Sequence, residues 1–214
     1  MELWSNSFRD GGLIPADNAF AAIDPLTHWR FSNNRNPHLA WGDVPNGTQS
    51  LALFCLDGDA PASHVDLGRK LLAPELPRGE FCHWSLIDIP PSLQSIAEAQ
   101  CSRSVTAHGK PGPVLTLPEG QLRQGLNDFT TWFASDADMA GNYYGYDGPF
   151  PPWNDLRIHH YIFRLYALDL PRLKLEGSFS GKQARMALHG HILDEAQMIG
   201  VYSLYPELAA TLKK

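Results

Sequence analysis

Residues 145–161 read Gly145-Tyr-Asp-Gly-Pro-Phe-Pro-Pro-Trp-Asn-Asp-Leu-Arg-Ile-His-His-Tyr161, and they run straight into an apolar, branched and aromatic stretch that ends at Leu168. The first half cannot join a sheet ladder, because each Pro lacks an N–H and the Gly residues favour irregular backbone. Residues 158–168 have the composition of a β-strand. Successive side chains of a strand point to opposite faces, so His159, Tyr161, Phe163 and Leu165 share one face and His160, Ile162, Arg164 and Tyr166 the other. A stiff loop thus delivers an imidazole and a phenol side by side to the end of a strand, an arrangement suited to a small-ligand site.

Two further runs read as strands. Residues 50–56 (Ser-Leu-Ala-Leu-Phe-Cys-Leu) are continuously apolar and meet a turn signal at Asp57-Gly58-Asp59-Ala60-Pro61. Residues 81–89 (Phe-Cys-His-Trp-Ser-Leu-Ile-Asp-Ile) are stopped by Pro90-Pro91. The long, polar, Pro-containing connections suit antiparallel Greek-key pairing better than βαβ units. The expected fold is therefore mainly β, a large antiparallel sheet with a few peripheral helices. The clearest helix signal is C-terminal: Ser180 can cap a run to about Ala196, in which Ala184, Leu188 and Ile192 recur every four residues. Gly190 inside that run weakens it by roughly 1 kcal/mol relative to Ala. Segments 62–80 and 134–142 read as surface loops, with Asp136 and Asp138 as solvated acids.

Composition narrows the function. The 214 residues fit one domain, 1–214, long enough for a full core. A formal charge of −6 argues against nucleic acid, which needs a basic stripe. No segment approaches the roughly 18 apolar residues of a membrane span. The Met-Glu-Leu-Trp-Ser-Asn start has neither a basic nor an apolar signal region, so a cytoplasmic setting is expected. Cys55, Cys82 and Cys101 are odd in number and lack metal-ligand spacing, which reads as free thiols.

Chemistry-bearing residues gather at the strand ends. Asp57 and Asp59 flank the turn after the first strand. His83 sits in the second, on the face expected to carry Phe81 and Ser85, and His159 and Tyr161 open the third. If these strands are neighbours, a carboxylate, two imidazoles and a phenol meet beside residues 149–152. Imidazole N–H and phenol O–H groups donate to anions, and a carboxylate can orient a histidine or hold a cationic head group. Taken singly, His83 suits a satisfied sheet histidine, Asp57 and Asp59 suit turn formers, and Trp84, Trp153 and Tyr166 suit packing. His160 reads as structural, and His189 and His191, two apart on a helix, make a poor metal pair.

In order along the chain, these pieces resemble the phosphatidylethanolamine-binding protein family, also called Raf kinase inhibitor-like proteins, in its bacterial branch. The resemblance rests on several segments. Phe8-Arg-Asp-Gly-Gly-Leu-Ile-Pro15 is similar to the opening motif and Asn36-Pro-His-Leu-Ala-Trp41 to the Pro-x-Leu-x-Trp segment. Asp57-Gly-Asp-Ala-Pro61 resembles the Asp-Pro-Asp-Ala-Pro signature, and His83-Trp84 the strand histidine. Gly148-Pro-Phe-Pro-Pro152 and His159-His-Tyr161 resemble the Gly-x-x-Pro-Pro loop and His-Arg-Tyr strand, and Tyr166-Ala-Leu-Asp169, Gly190-His191 and Gly200-Val-Tyr202 the closing segments. The resemblance implies a large antiparallel sheet packed with a smaller one. It also implies a pocket for phosphate, acetate or a phosphoethanolamine head group. By position, the pocket role falls to Asp57, His83, Pro151, Pro152, His159 and Tyr161, with Asp59 and Trp84 in support and neither a metal nor a cofactor. Family members modulate kinases, proteases or signalling, which implies a protein partner, and bacterial relatives make a homodimer plausible.

Two positions depart from the family pattern. Gly58 stands where the signature has Pro, and His160 where the eukaryotic pattern has Arg, which removes a permanent charge beside the pocket. No Gly-x-Ser-x-Gly elbow, His-Glu-x-x-His motif or P-loop is present, so binding needs fewer assumptions than catalysis. The competing readings are a hydrolase of small phosphoesters or carboxylic esters using Asp57 with His83 or His159, a metal site on those same three residues, and an interaction module with an idle pocket.

Overall fold

The computed structural model of the protein describes residues 1–63 and 66–213. In chain order the strands are β1 (Glu2–Trp4), β2 (Gly12–Leu13), β3 (Ala21–Asp24), β4 (His28–Phe31), β5 (Leu39–Gly42), β6 (Ser50–Pro61), β7 (Arg78–Ile89), β8 (Ser95–Ile96), β9 (Val114–Leu117) and β10 (Gly120–Gln124). A short helix α1 (Phe129–Trp132) precedes β11 (His159–Leu168), α2 (Gly181–Ala187), β12 (Ile192–Tyr202) and a C-terminal α3 (Pro206–Thr211). The fold is mainly β. Its large sheet has the order β2-β12-β11-β6-β7-β10-β9, a smaller sheet the order β1-β5-β8, and β3 and β4 form a hairpin.

The three apolar runs of the sequence lie at the centre, β11 beside β6 beside β7, all antiparallel. Their uninterrupted hydrophobicity follows from burial on both faces. One face carries Leu51, Leu53, Trp84, Phe163 and Leu165 and packs against Leu39 and Trp41 of β5 and Ile96 of β8. The other carries Phe54, Leu56, Ile87 and Tyr166 and is covered by Phe179, Ala184 and Leu188, the latter two from α2 and its C-terminal end. The large sheet is mixed, because β2 pairs parallel with β12 at its edge, where a wholly antiparallel sheet was expected.

The C-terminal helix reading holds at its start and fails at its end. Ser180 caps α2 in a reciprocal box: Gln183 N–H donates to the Ser180 hydroxyl, and Ser180 N–H donates to Gln183 Oε1 at 2.8 Å. The helix then stops at Ala187, Gly190 takes a φ of +82°, and the chain reverses into β12, which pairs with β11 along its length. Ile192 is half-exposed at the start of that strand, so the four-residue recurrence was a coincidence of spacing. Accordingly, His189 and His191 lie in the reversal and not on a helix. The strand readings were also short: β6 continues through the supposed turn to Pro61, and β7 begins at Arg78 inside the stretch read as loop. Residues 64 and 65 of that loop lie outside the described residues. Segment 134–142 is an irregular, largely exposed loop, in which Asp136 accepts from the Asp138 N–H.

Candidate functional site

Strand register explains how the distant residues meet. Asp57 of β6 lies opposite both Tyr161 of β11 and Phe81 of β7. His159 is two residues before Tyr161, on the same face, and therefore diagonal to Asp57. His83 arrives by a bulge: Cys55 pairs with Trp84 and Leu56 with Cys82, which leaves His83 without an opposite residue. The extra residue turns His83 and Trp84 to one side of the sheet. Ser85, expected beside His83, instead lies on the other face with Cys82, both near Gly181 of α2.

Part of this set lines a cavity of about 450 Å³, within the range of small-molecule sites. Asp57, His83, His159, Pro151 and Pro152 are on its wall. Phe81, Phe129, Trp132 and Phe150 add an aromatic side, and Glu80 and Asp128 an acidic one. Phe129 and Phe150 rest on the buried Phe20 ring, with centroids 4.6 and 5.5 Å away. A smaller hollow, of about 150 Å³ and bounded by Trp29 and Trp153, continues past Trp132, Phe150 and Pro152.

His159 is held at both nitrogens. Its Nδ1 donates to Asp57 at 2.6 Å and its Nε2 to Asp155 at 3.1 Å, and all three side chains are nearly inaccessible. Both partners are acceptors, so this ring carries two hydrogens and a positive charge. Burial alone would lower its pKa; the Asp57 and Asp155 carboxylates outweigh that and raise it to about 9. Asp155 also receives two hydrogen bonds from Arg78, at 2.5 and 3.1 Å. The hydrogen bonds from His159 and Arg78 hold its pKa below the ordinary range against the opposing effect of burial. The result is a buried chain, Arg78–Asp155–His159–Asp57, in which two positive and two negative charges cancel. Asp155 was not singled out from the sequence; its spacing of four residues before His159 is the only signal it gave.

Asp59 performs a related task outside the cavity. Its carboxylate accepts from Arg157 at 2.6 Å, from the His160 N–H at 3.0 Å and from His160 Nδ1 at 2.7 Å, and these partners lower its pKa despite partial burial. It therefore ties β6 to the start of β11, whereas the sequence had it holding a turn. His160 points away from the pocket, as its strand parity required.

His83 differs from His159 in every respect that matters chemically. Its Nδ1 donates to the backbone carbonyl of Asp147 at 2.7 Å, and the Asp147 N–H returns a bond to the His83 carbonyl at 3.1 Å. Burial lowers its pKa, and the neighbouring carboxylates only partly offset this, so the ring is neutral at pH 7. With Nδ1 protonated, Nε2 carries a lone pair and no hydrogen. Asp147 itself is fixed by Lys110 at 2.5 Å, Asn34 at 2.6 Å and Asn127 at 2.8 Å. Asp128 accepts from the Cys82 N–H at 2.7 Å, and burial raises its pKa.

Tyr161 and Trp84 lie beneath the site. Tyr161 is fully buried, with its hydroxyl close to the Asp57 carboxylate and its ring edge-on to that of His83 at 5.2 Å. The phenol expected beside the His159 imidazole at the strand end thus lies under His83 and off the cavity wall. Trp84 is also fully buried and donates to Gln124 at 3.0 Å. Cys55 and Cys82 are buried free thiols and Cys101 a half-buried one. Among the described residues, no group of three or more His, Cys, Asp or Glu side chains is placed to hold a metal ion, and no helix is long and apolar enough to cross a membrane.

A sandwich of unequal sheets with a histidine-and-aspartate pocket at the ends of the central strands defines a class of small β proteins with a ligand-sized cavity. Residues 4–203 match the family model described as phosphatidylethanolamine-binding protein, and the chain belongs to that family. It is 33% identical over 202 residues to a UPF0098 protein of Methanothermobacter thermautotrophicus, covering 94% of this chain and 98% of that one. To the UPF0098 protein YbhB of Escherichia coli it is 29% identical over 203 residues, covering 95% and 100%. Among solved structures, E. coli YbcL, described as a member of the mammalian PEBP family, superposes with a TM-score of 0.66 at 25% identity, covering 94% of this chain and 97% of that one.

Proposed function

We propose that this protein is a non-catalytic binding protein whose pocket takes a small anionic ligand, a phosphoryl group above all, through Asp57, His83, Pro151, Pro152 and His159, with Tyr161, Asp59 and Trp84 in support. The observation that carries the reading is a cavity of about 450 Å³ with all five of those residues on its wall. Family membership supports it independently. His159 contributes charge and rigidity, since both of its N–H groups are committed to carboxylates. The same reading takes residues 1–214 as one working domain in the cytosol, acting on a kinase, protease or signalling partner, or as a homodimer.

A thermal-shift series with phosphate, acetate and methyl phosphate tests it. A ligand at about one hundred times its Kd adds about 2.7 kcal/mol, and Asp57→Ala and His159→Ala remove that shift. A protein whose melting ignores every anion at millimolar concentration is not such a binder. A hydrolase is the second reading, favoured by one observation: His83 keeps a free Nε2 in the cavity that Asp128 also lines. Turnover of chromogenic esters that His83→Ala abolishes would establish it in place of simple binding.

A further inference from the structure

The pocket contains a mismatch between its chemistry and a fully ionised anion. Among the described residues, no Lys or Arg lines it. The nearby permanent cations are spent elsewhere: Arg78 on Asp155, Arg157 on Asp59, and Arg185 on Glu80. Both His159 nitrogens are likewise occupied by Asp57 and Asp155.

That leaves His83, and the groups around it fix its state. Asp147 faces it with a backbone carbonyl that takes the Nδ1 hydrogen, and the Asp147 carboxylate is neutralised by Lys110. β6 presents Asp57, the residue before α1 is Asp128, and β7 itself carries Glu80, which is paired with Arg185. From β11 come the His159 imidazolium, already balanced by carboxylates, and the Tyr161 ring. Nε2 has no hydrogen-bond partner among the described residues. It therefore offers a lone pair into a cavity where the nearby carboxylates of Asp57 and Asp128 are also acceptors, the donors Thr131 and Trp132 lying on the α1 wall. An oxyanion placed there meets acceptor against acceptor, and an unmade buried hydrogen bond is costly.

Building on the anion-binding reading, we propose that this pocket selects phosphomonoesters carrying one acid hydroxyl, whose hydrogen is donated to His83 Nε2, over isosteric anions without that hydrogen. The monoanion R–O–PO₃H⁻ brings its own proton; no bond other than the hydrogen bond forms, and the proton stays on the ligand or moves to Nε2 with charge conserved. The acidic wall adds repulsion against the dianion. A phosphodiester, as in a lipid head group, and a sulfate ester lack the hydrogen and are disfavoured. Asp147, through its carbonyl and its Lys110, Asn34 and Asn127 contacts, is the positioning residue that sets the tautomer.

Isothermal titration of the whole protein with methyl phosphate, methyl sulfate and dimethyl phosphate tests this. Near pH 6.5, methyl phosphate should bind at least about tenfold more tightly than either analogue, the cost of one unmet buried hydrogen bond. Its affinity should fall by about fiftyfold from pH 6 to pH 8, following the loss of the monoanion with a second pKa of about 6. His83→Gln, whose amide can donate, should bind methyl sulfate and methyl phosphate alike; if that variant does not fold, the comparison on the wild type decides. Methyl sulfate or dimethyl phosphate binding as tightly as methyl phosphate, or an affinity flat with pH, overturns the selectivity and leaves anion binding standing. Failure of all three to bind at pH 6 overturns both.

Discussion

The clamp on His159 sets a pH dependence of stability that can be measured directly. The imidazole, fully buried between Asp57 and Asp155, has its pKa raised from the ordinary 6.5 to about 9. The folded protein thus holds this proton more tightly than the unfolded chain does. The corresponding stabilisation is complete below the unfolded pKa near 6.5 and is lost as pH rises through the folded value. Its size is about 3 kcal/mol, the displacement multiplied by about 1.4 kcal/mol per tenfold change in proton affinity. This is a substantial fraction of a typical domain's stability. The perturbation is His159→Gln, which keeps a polar group of similar length but has no titration. Urea unfolding of both proteins at about pH 6 and about pH 9.5 should show the wild type's advantage shrinking by about 3 kcal/mol across that interval. Comparing the two proteins cancels other groups that titrate in the same range. A difference that stays constant with pH, or a His159 ring that titrates near 6.5 by NMR, would refute the clamp as the source of the shift.

Three other outcomes are expected. Arg78→Met leaves the buried Asp155 with His159 as its one charged partner, beside the Arg157 N–H; breaking such a pair from one side costs about 3 kcal/mol or more, seen as a lower urea midpoint with an unchanged m-value. Ser180→Ala removes the α2 cap and should cost about 1 kcal/mol by the same assay. Burial raises the pKa of Cys55 and Cys82, and that of Cys101 to about 12, so the native protein should react slowly with a thiol-disulfide reagent at mildly alkaline pH and rapidly once unfolded.

The pocket was legible where its signals were local. Strand parity put His159 on the inward face and His160 on the outward one, and the Pro-rich loop announced an irregular wall. The reading of His83 beside Ser85 failed because parity assumes unbroken pairing, and the bulge opposite Cys55 and Leu56 is a property of two strands together. The helix reading ran past Leu188 in error for a similar reason. Periodicity over 184–192 fits a helix in isolation, whereas β12 gains a full ladder against β11 that no local window contains.

The sequence by itself determined the mainly β architecture, the three central strands and the residue types that would crowd their ends, because alternation, apolar runs and Pro/Gly interruptions act over a few neighbouring residues. Only the tertiary structure decided the protonation pattern. Asp155 reaches His159 from its loop while holding Arg78 of β7, and the Asp147 carbonyl takes the Nδ1 hydrogen of His83 from a residue 64 positions away. Two histidines of identical chemistry thereby become a fixed imidazolium and a neutral acceptor. The difference lies in which hydrogen-bond partners and how much water each ring meets, and those are set by strands and loops distant in sequence.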